Sequence, residues 1–309
     1  MTHAGDSAAR ARLPPSQRGQ PIRTAGSTGS WQLAVELPVE IGINGEPVAV
    51  MLATPADVEE LALGFLHTEH LLHAAQPPHG ATGDDAHGHD AHGHDVHVDV
   101  QLDGIVVDVR VPQARVNTRA RALRRLEGRT GCGLCGIESL AALRGRAPEP
   151  LGARAAVPDD AALARAFTAL PDAQPLNRAT HSVHAAAWCA ADGTLRLVRE
   201  DVGRHNALDK LVGARLRAAA GGWPEGPGFV LMSSRLSYEL VYKAHALGAA
   251  CLATISAPTS LAVDTAALLG LELACIAGRD ADGTPRIARF PAPRTHAAGR
   301  AHGHAHGHG

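Results

Sequence analysis

Two cysteines that lie two residues apart offer the most reactive chemistry in this sequence. Cys132 and Cys135 fall within residues 129–136, Arg-Thr-Gly-Cys-Gly-Leu-Cys-Gly, so glycines adjoin both of them. Glycine accepts backbone angles that other residues resist, which predicts a flexible and exposed loop. Arg124 and Arg125 lie just upstream, and positive charge favours the thiolate, the nucleophilic form of cysteine. The pattern therefore indicates a reactive dithiol rather than two idle core thiols.

Three kinds of site use such a Cys-X-X-Cys pair. A structural zinc site needs a second pair of ligands at close spacing, whereas Cys189, Cys251 and Cys275 each stand alone in apolar runs. A thioredoxin-type disulfide oxidoreductase places the pair at the start of a helix, early in a βαβ unit, but here the pair follows an arginine-rich segment in mid-chain. We favour the third interpretation, a nucleophilic cysteine that carries sulfur or another group.

Histidines recur in two low-complexity segments. Six lie between residues 79 and 97, where Asp-Ala-His-Gly-His occurs twice, and five lie in the tail after residue 290. Neutral imidazoles bind zinc, nickel or copper, so a metal-storage protein is a non-enzymatic alternative. Glycine and alanine supply no fixed geometry, and we therefore predict adventitious metal affinity and no metal site for the main function.

Composition excludes several classes of protein. The 309 residues are 45% apolar and carry a formal net charge of -2, which gives no reason to expect nucleic-acid binding. No apolar run reaches the roughly 18 residues that a membrane span needs, and the N-terminus lacks the apolar stretch of a secretory signal. Five cysteines without the spacing of a disulfide framework favour a reducing cytoplasm.

Alternating apolar residues predict a small sheet in the first part of the chain. Asn44-Gly45 and Asp103-Gly104 each separate two alternating runs, which predicts two hairpins. Thr54 followed by Pro55 predicts the start of a helix. We therefore expect a sheet with one helix, preceded by a disordered lead-in without periodicity.

Strands and helices alternate in the second half. Apolar strands at 229–232, 250–255 and 271–276 alternate with helices at 237–247 and 261–269. This predicts a parallel or mixed sheet with helices on both faces. The predicted segments are a disordered lead-in (1–30), a sheet-plus-helix domain (31–127) with a His-rich insertion (79–97), a cysteine loop and linker (128–157), a second α/β domain (158–290) and a His-rich tail (291–309).

Polar segments follow several of these strands, where α/β sheets bind ligands. Hydroxyls beside free helix N–H groups suit phosphate, although N-capping alone would explain either junction. A charged run at 199–210 holds more charge than a solvated helix start needs. The candidate ligand-binding residues are Ser233, Ser234 and Arg235 at one junction, Ser256, Thr259 and Ser260 at the next, and Arg204 and His205 in the charged run. They predict a nucleotide-like ligand.

These segments together resemble the formate dehydrogenase accessory sulfurtransferase family, FdhD. The resemblance is carried by residues 130–136, 181–187, 199–210 and 255–263, and it extends from about Trp31 to Asp280. It implies a small β-rich N-terminal domain followed by a cytidine-deaminase-like, three-layer α/β domain with a mixed sheet. It also implies sulfur transfer from a cysteine desulfurase to the molybdenum bis-molybdopterin guanine dinucleotide cofactor of formate dehydrogenase.

The resemblance also implies roles for individual residues. Cys132 would carry the persulfide, and Cys135 would be the supporting thiol. Further cofactor contacts would come from Ile276, Ala277, Gly278 and Arg279. GDP is the expected fragment ligand. The expected partners are the desulfurase and formate dehydrogenase, and a second copy of this chain is a further candidate partner.

A zinc-dependent deaminase is the rival enzyme. Such enzymes need His-X-Glu and then Pro-Cys-X-X-Cys around zinc. His67-Thr68-Glu69 provides the first part and Cys132 with Cys135 provides the second, but no proline precedes Cys132. The signature is therefore incomplete.

Overall fold

The computed structural model describes residues 16–24, 27–73, 95–101, 103–126, 157–218 and 226–290. These residues form a two-stranded, a four-stranded and a six-stranded sheet. The cysteine loop with Cys132 and Cys135, most of the His-rich insertion and the His-rich tail lie outside the described residues. Within the described part of the chain, no helix combines the length and the apolar character that crossing a bilayer requires.

The two-stranded sheet departs from the predicted disordered lead-in over residues 1–30. Strands β1 (Ser16–Thr24) and β2 (Ser27–Ala34) form an antiparallel hairpin. Its sequence, SQRGQPIRT followed by STGSWQLA, has almost no apolar alternation. Main-chain hydrogen bonds between strands do not depend on side-chain type, so a polar hairpin of this kind leaves little trace in a periodicity pattern.

The first unit is the predicted small sheet. Its strands are β3 (Leu37–Ile43), β4 (Glu46–Ala53), β5 (Asp95–Val100) and β6 (Ile105–Arg110), in the order β4-β3-β6-β5. Asn44 and Gly45 have φ angles of 52° and 79°, as a tight hairpin turn requires. Both predicted hairpins are confirmed. β5 begins at Asp95, inside the predicted His-rich insertion.

Helix α1 (Val58–Thr68) covers this sheet, and α2 (Thr118–Leu126) follows it. The prediction that Thr54 caps α1 is wrong, because the helix begins three residues after Pro55 and Asp57 occupies its N-cap. Thr54 is fully buried and bonds to the second unit instead: its N–H donates to Asp201, and its hydroxyl accepts from the N–H of Val202.

The second unit contains the mixed sheet in three layers. Its strands are β7 (His184–Ala190), β8 (Leu195–Asp201), β9 (Gly228–Met232), β10 (Cys251–Thr254), β11 (Glu272–Arg279) and β12 (Pro285–Phe290), in the order β12-β11-β10-β9-β7-β8. β7 and β12 run antiparallel to their neighbours, so β8, β9, β10 and β11 all point the same way. The predicted mixed α/β architecture is confirmed.

Helices cover both faces of this sheet. They are α3 (Asp160–Ala169), α4 (Pro175–Thr180), α5 (Arg204–Arg217), α6 (Tyr238–Ala246) and α7 (Ser260–Leu269), with a 3-10 turn at Leu170–Ala173. A second 3-10 turn, Gln113–Arg115, lies between β6 and α2 in the first unit. Leu163 and Phe167 of α3 pack on one face, and α5, α6 and α7 share a core with the first unit on the other.

Helices α1 and α5 join the two units at close range. Gly64 lies against the carbonyl oxygen of Asp209, and Gly213 lies against that of Glu60, so that a Cβ at either glycine would collide with main chain. The two helices therefore approach as closely as their backbones allow, which buries the junction between the units.

Candidate functional site

Every predicted ligand-binding residue of the second unit lies along one edge of the six-stranded sheet. This is the edge at which the four parallel strands end. Arg204 and His205 follow β8, Ser233 to Arg235 follow β9, Ser256, Thr259 and Ser260 follow β10, and Ile276 to Arg279 end β11. Ligands of open α/β sheets gather at such an edge.

The two hydroxyl-rich junctions lie on one edge of the sheet, as the sequence predicted, and they touch. Leu236 and Pro258 form a parallel bridge. The N–H of Thr259 donates to the carbonyl of Leu236 over 3.1 Å, and the N–H of Ile255 donates to that of Met232 over 3.2 Å. The starts of α6 and α7 are thereby held side by side.

Most hydroxyls at these junctions have structural partners. Ser233 accepts the N–H of Ala185 at 2.8 Å, Ser234 donates to the carbonyl of Arg235 at 3.0 Å, and Thr259 caps α7. The capping alternative therefore accounts for Thr259. The Arg235 and Ser260 side chains are exposed, so they are the groups that a ligand reaches most readily.

Strand β11 extends beyond its neighbour at this edge. Cys275 pairs with the last residue of β10, so Ile276 to Arg279 project past it. The register with β12 shifts between Ile276 and Gly278, and such bulges re-aim side chains. The Arg286 guanidinium lies close over Gly278, 2.6 Å from where a Cβ would stand.

Four buried polar atoms along this edge have no hydrogen-bond partner in the part of the chain that the structure describes. They are Arg204 Nε, His205 Nε2, Ser237 Oγ and Glu239 Oε2. Sequence reasoning found the first two residues and missed Ser237 and Glu239, which stand at the N-cap and in the first turn of α6. The only signal for them was an acidic residue shortly after the Ser-Ser-Arg junction.

His205 is neutral in the folded protein. Burial lowers its pKa to about 3, and the positive charges of Lys243 and Arg204 reinforce this effect. Its Nε2 lies 4.0 Å from Glu239 Oε2, which is too long for a hydrogen bond. We therefore do not treat the two as an ion pair. His184 begins β7 on the same edge, and burial followed by Arg204 lowers its pKa too.

The charged run at 199–210 is mainly structural. Arg199 binds both carboxylate oxygens of Glu60, at 2.5 and 2.9 Å. Glu200 accepts two N–H groups at the start of α4, at 2.8 and 2.9 Å. Asp201 lies 2.6 Å from the ammonium of Lys210, and both side chains are fully buried. Sequence reasoning interpreted this charge density as a sign of ligand binding. Most of these charged side chains instead form contacts within the second unit or between the two units.

The His67-Thr68-Glu69 triplet of the deaminase alternative also has a structural use. The Lys243 ammonium donates to Thr68 and Asp209 at 2.8 Å and lies 3.4 Å from Glu69. Burial alone would lower the pKa of Lys243, but Asp209 and Glu69 outweigh it and raise the pKa. Glu69 is thus held by a cation, and among the described residues no group of three or more His, Cys, Asp or Glu side chains is arranged to bind a metal.

Three of the five cysteines are buried in the sheet. Cys189, Cys251 and Cys275 are free thiols with at most 3% exposure. Burial raises the pKa of all three, that of Cys251 to about 12. They are inert at neutral pH, because the thiolate is the reactive form. Only Cys132 and Cys135 are left to carry thiol chemistry.

Known proteins resemble this chain over most of its length. The sequence pattern of the FdhD/NarQ family matches residues 34–282. A "Sulfur carrier protein FdhD" from Chromobacterium violaceum is 45% identical over 260 residues, which cover 82% of this chain and 88% of the relative. A protein of the same name from Xanthomonas campestris pv. campestris is 40% identical over 266 residues, covering 84% of this chain and 88% of the relative.

A solved structure shares the fold. The crystal structure of a protein from Desulfotalea psychrophila, provisionally named a formate dehydrogenase accessory protein, superimposes with a TM-score of 0.58 at 21% identity. The superposition covers 91% of this chain and 99% of that chain. With the family match over residues 34–282 and relatives at 40–45% identity, the chain belongs to the FdhD/NarQ family.

Proposed function

We propose that this protein is a sulfurtransferase that carries a persulfide on Cys132 and delivers its sulfur to the molybdenum bis-molybdopterin guanine dinucleotide cofactor of formate dehydrogenase. The observation that carries the proposal is the contrast among the five cysteines. Three are buried with raised pKa values, whereas Cys132 and Cys135 stand among glycines and arginines. Relatives named sulfur carriers support this role.

Loading takes place by thiol exchange. The Cys132 thiolate attacks the outer sulfur of a persulfide on a donor protein, for which a cysteine desulfurase in a reducing cytoplasm has the required chemistry. The donor cysteine leaves as a thiolate, and the sulfur is now the outer atom of a persulfide on Cys132. No oxidant is consumed, because one sulfur–sulfur bond breaks while another forms.

Delivery as sulfide needs two electrons, and Cys135 is the group that supplies them. Its thiol attacks the inner sulfur of the Cys132 persulfide, a disulfide forms between the two cysteines, and the outer sulfur leaves as hydrosulfide. The disulfide is then reduced by cellular thiols. The spacing of two residues makes this step intramolecular.

The cofactor is the client, and we propose that its guanine dinucleotide arms bind the edge where β8 to β11 end. α5 and α7 have no acidic residue in their first turns, so their free N–H groups suit phosphate. Arg235 is exposed between β9 and α6 and can bond two phosphate oxygens. GDP is the fragment that reports on this site.

Reconstitution tests the proposed function. Formate dehydrogenase made in cells that lack this protein should be inactive and should gain activity when it is mixed with the persulfide-loaded chain. Cys132→Ala should fail to load, and Cys135→Ala should load but deliver poorly. Cys275→Ala is the matched control and should behave as wild type, because Cys275 is buried. Full activation by Cys132→Ala would contradict the proposal.

A further inference from the structure

Helix α2 and the segment that leads into it carry a run of positive charge. Residues 110–126 hold no acidic residue, although the formal net charge of the whole chain is -2. The arginines of this segment are Arg110, Arg115, Arg119, Arg121, Arg124 and Arg125. Like charges one helical turn apart destabilise a helix, so this composition calls for an explanation.

Other groups hold α2 in place on the first unit. The N–H of Asn117 donates to the carbonyl of Leu71 over 3.0 Å, and the Asn117 side chain accepts the N–H of Ala120 at 3.1 Å. Ala120 packs against the core, and Arg121 forms an ion pair with Glu46 of β4. The helix is therefore a fixed part of the protein surface.

Two of the arginines present their charge to solvent. Arg119 is exposed, and it has no ion pair in the part of the chain that the structure describes. The Arg110 side chain is 61% exposed and lies 3.5 Å from Asp108, and such exposed pairs are weak. Neither charge is neutralised by a strong pair within the described ranges.

The cysteine segment begins in the sequence where α2 ends. Six residue steps separate Leu126 from Cys132, and a chain of that length spans at most about 22 Å. A small folded domain is already about 30 Å across. A protein that hands a sulfur atom to Cys132 must therefore bring its own surface close to α2.

We propose that α2, with Arg119 on its exposed face, is the docking surface for the protein that loads Cys132, and that this donor carries acidic residues around its persulfide. The inference rests on the proposed function, in which a cysteine desulfurase is the donor. Opposite charges speed the encounter of two proteins. They act over the Debye length, roughly 8 Å in physiological salt, so the charged surfaces must meet closely.

Loading kinetics of the full chain test this docking surface. A cysteine desulfurase with cysteine loads the protein at limiting donor concentration, and intact mass follows the gain of one sulfur atom. A rise in salt concentration should slow the loading of wild type, because salt screens the encounter. Arg119→Glu should slow loading about tenfold at low salt, the lower end of the range for electrostatic steering, and Arg119→Lys should load like wild type.

Two controls separate docking from other effects of charge. Arg196→Glu changes an exposed arginine on β8 of the second unit and should load at the wild-type rate. Iodoacetamide is an uncharged reagent that needs no docking, so it should alkylate Cys132 at one rate in wild type and in all three variants. This second control reports whether the arginines act on the reactivity of the thiolate.

Several results would overturn the proposal. If Arg119→Glu loads as fast as wild type at low salt, α2 is not the docking surface, although the proposed function stands. A wild-type rate that does not change with salt excludes charge-driven docking without any variant. If Arg119→Glu slows alkylation as much as loading, the arginine acts on the thiol and not on the donor.

Two further outcomes are distinguishable from these. If a short RNA binds wild type but not Arg119→Glu while the two proteins load equally fast, the surface binds nucleic acid and the proposal is wrong. If the desulfurase does not load wild type although iodoacetamide alkylates Cys132, the loading step of the proposed function fails, and this inference fails with it.

Discussion

The protein contains two lysines, and both are buried in ion pairs. Lys210 is fully buried beside Asp201, and Lys243 is 6% exposed beside Asp209. All the other permanent cations are arginines. An ammonium is a compact charge with three rotatable donors, which suits it to the several oxygens that surround each site. The lysines thus hold the polar interior together.

Lys210→Met tests this role. The variant should lower the free energy of unfolding by about 3–5 kcal/mol, because Asp201 would remain buried without its cation. Urea denaturation measures the change. Arg110→Met is the control, since Arg110 is 61% exposed in its pair with Asp108 and exposed pairs contribute only about 0–1 kcal/mol. Equal losses of unfolding free energy in the two variants would show that the buried Lys210–Asp201 pair stabilises the fold no more than an exposed pair does.

His205 makes stability depend on pH. Its pKa falls from 6.5 to about 3 on folding, through burial and then through Lys243 and Arg204. The unfolded chain therefore binds more protons between these values, and stability falls as pH drops from 6.5 towards 3. His205→Gln should flatten this part of the profile of urea midpoint against pH. His97→Gln, at an exposed histidine, should leave it unchanged, and a His205→Gln profile identical to wild type would refute the assignment.

The contact between α1 and α5 is the element on which the joining of the two units depends. Gly64→Ala should destabilise the protein by about 1–3 kcal/mol through overpacking. Gly213→Ala should act likewise, and the double variant should cost less than the sum because both changes strain one contact. Thermal unfolding measures these effects.

A surface change on another helix serves as the control for the glycine series. Leu268→Ala removes a side chain that is 61% exposed on α7 and should change stability by no more than about 0.5 kcal/mol. A Gly64→Ala protein as stable as wild type would mean that α1 and α5 can move apart without loss of stability. The close approach of the two helices would then not stabilise the protein.

Local sequence signals predicted those helices and strands whose positions are determined by neighbouring residues. The Asn44-Gly45 hairpin and the alternation of strands and helices after residue 228 were predicted because turn residues and apolar periodicity act over a few positions. The start of α1 was predicted wrongly because Thr54 bonds to Asp201 and Val202, almost 150 residues away. No local pattern encodes such a partner.

The same limit applies to the candidate site. Sequence reasoning predicted that the junctions after β9 and β10 would lie at the same edge of the sheet, because parallel strands end at one edge. It could not separate Arg199, Glu200 and Asp201, which serve the fold, from Arg204 and His205, whose buried nitrogens have no partner among the described residues. Side-chain partners decide this difference, and they come from distant parts of the chain.

At the scale of the whole molecule, the described residues form two packed units with a shared core, and Cys132 and Cys135 lie outside the described residues. The Arg199–Glu60 ion pair, hydrogen bonds from Lys210 to Thr54 and from Lys243 to Thr68, and a shared core join the first unit to the second. In the sequence, the cysteine segment lies between α2 of the first unit and α3 of the second. We therefore propose that the cofactor binds at the sheet edge and that Cys132 carries the sulfur.

Intact-mass spectrometry after incubation with a cysteine desulfurase and cysteine tests this central claim most directly. Wild type and Cys275→Ala should each gain the mass of one sulfur atom, and a thiol reductant should remove it. Cys132→Ala should stay folded and gain nothing, because its three sheet cysteines are buried with raised pKa values and we propose that Cys135 acts in delivery and not in loading. A reducible sulfur adduct that persists on Cys132→Ala would contradict the account.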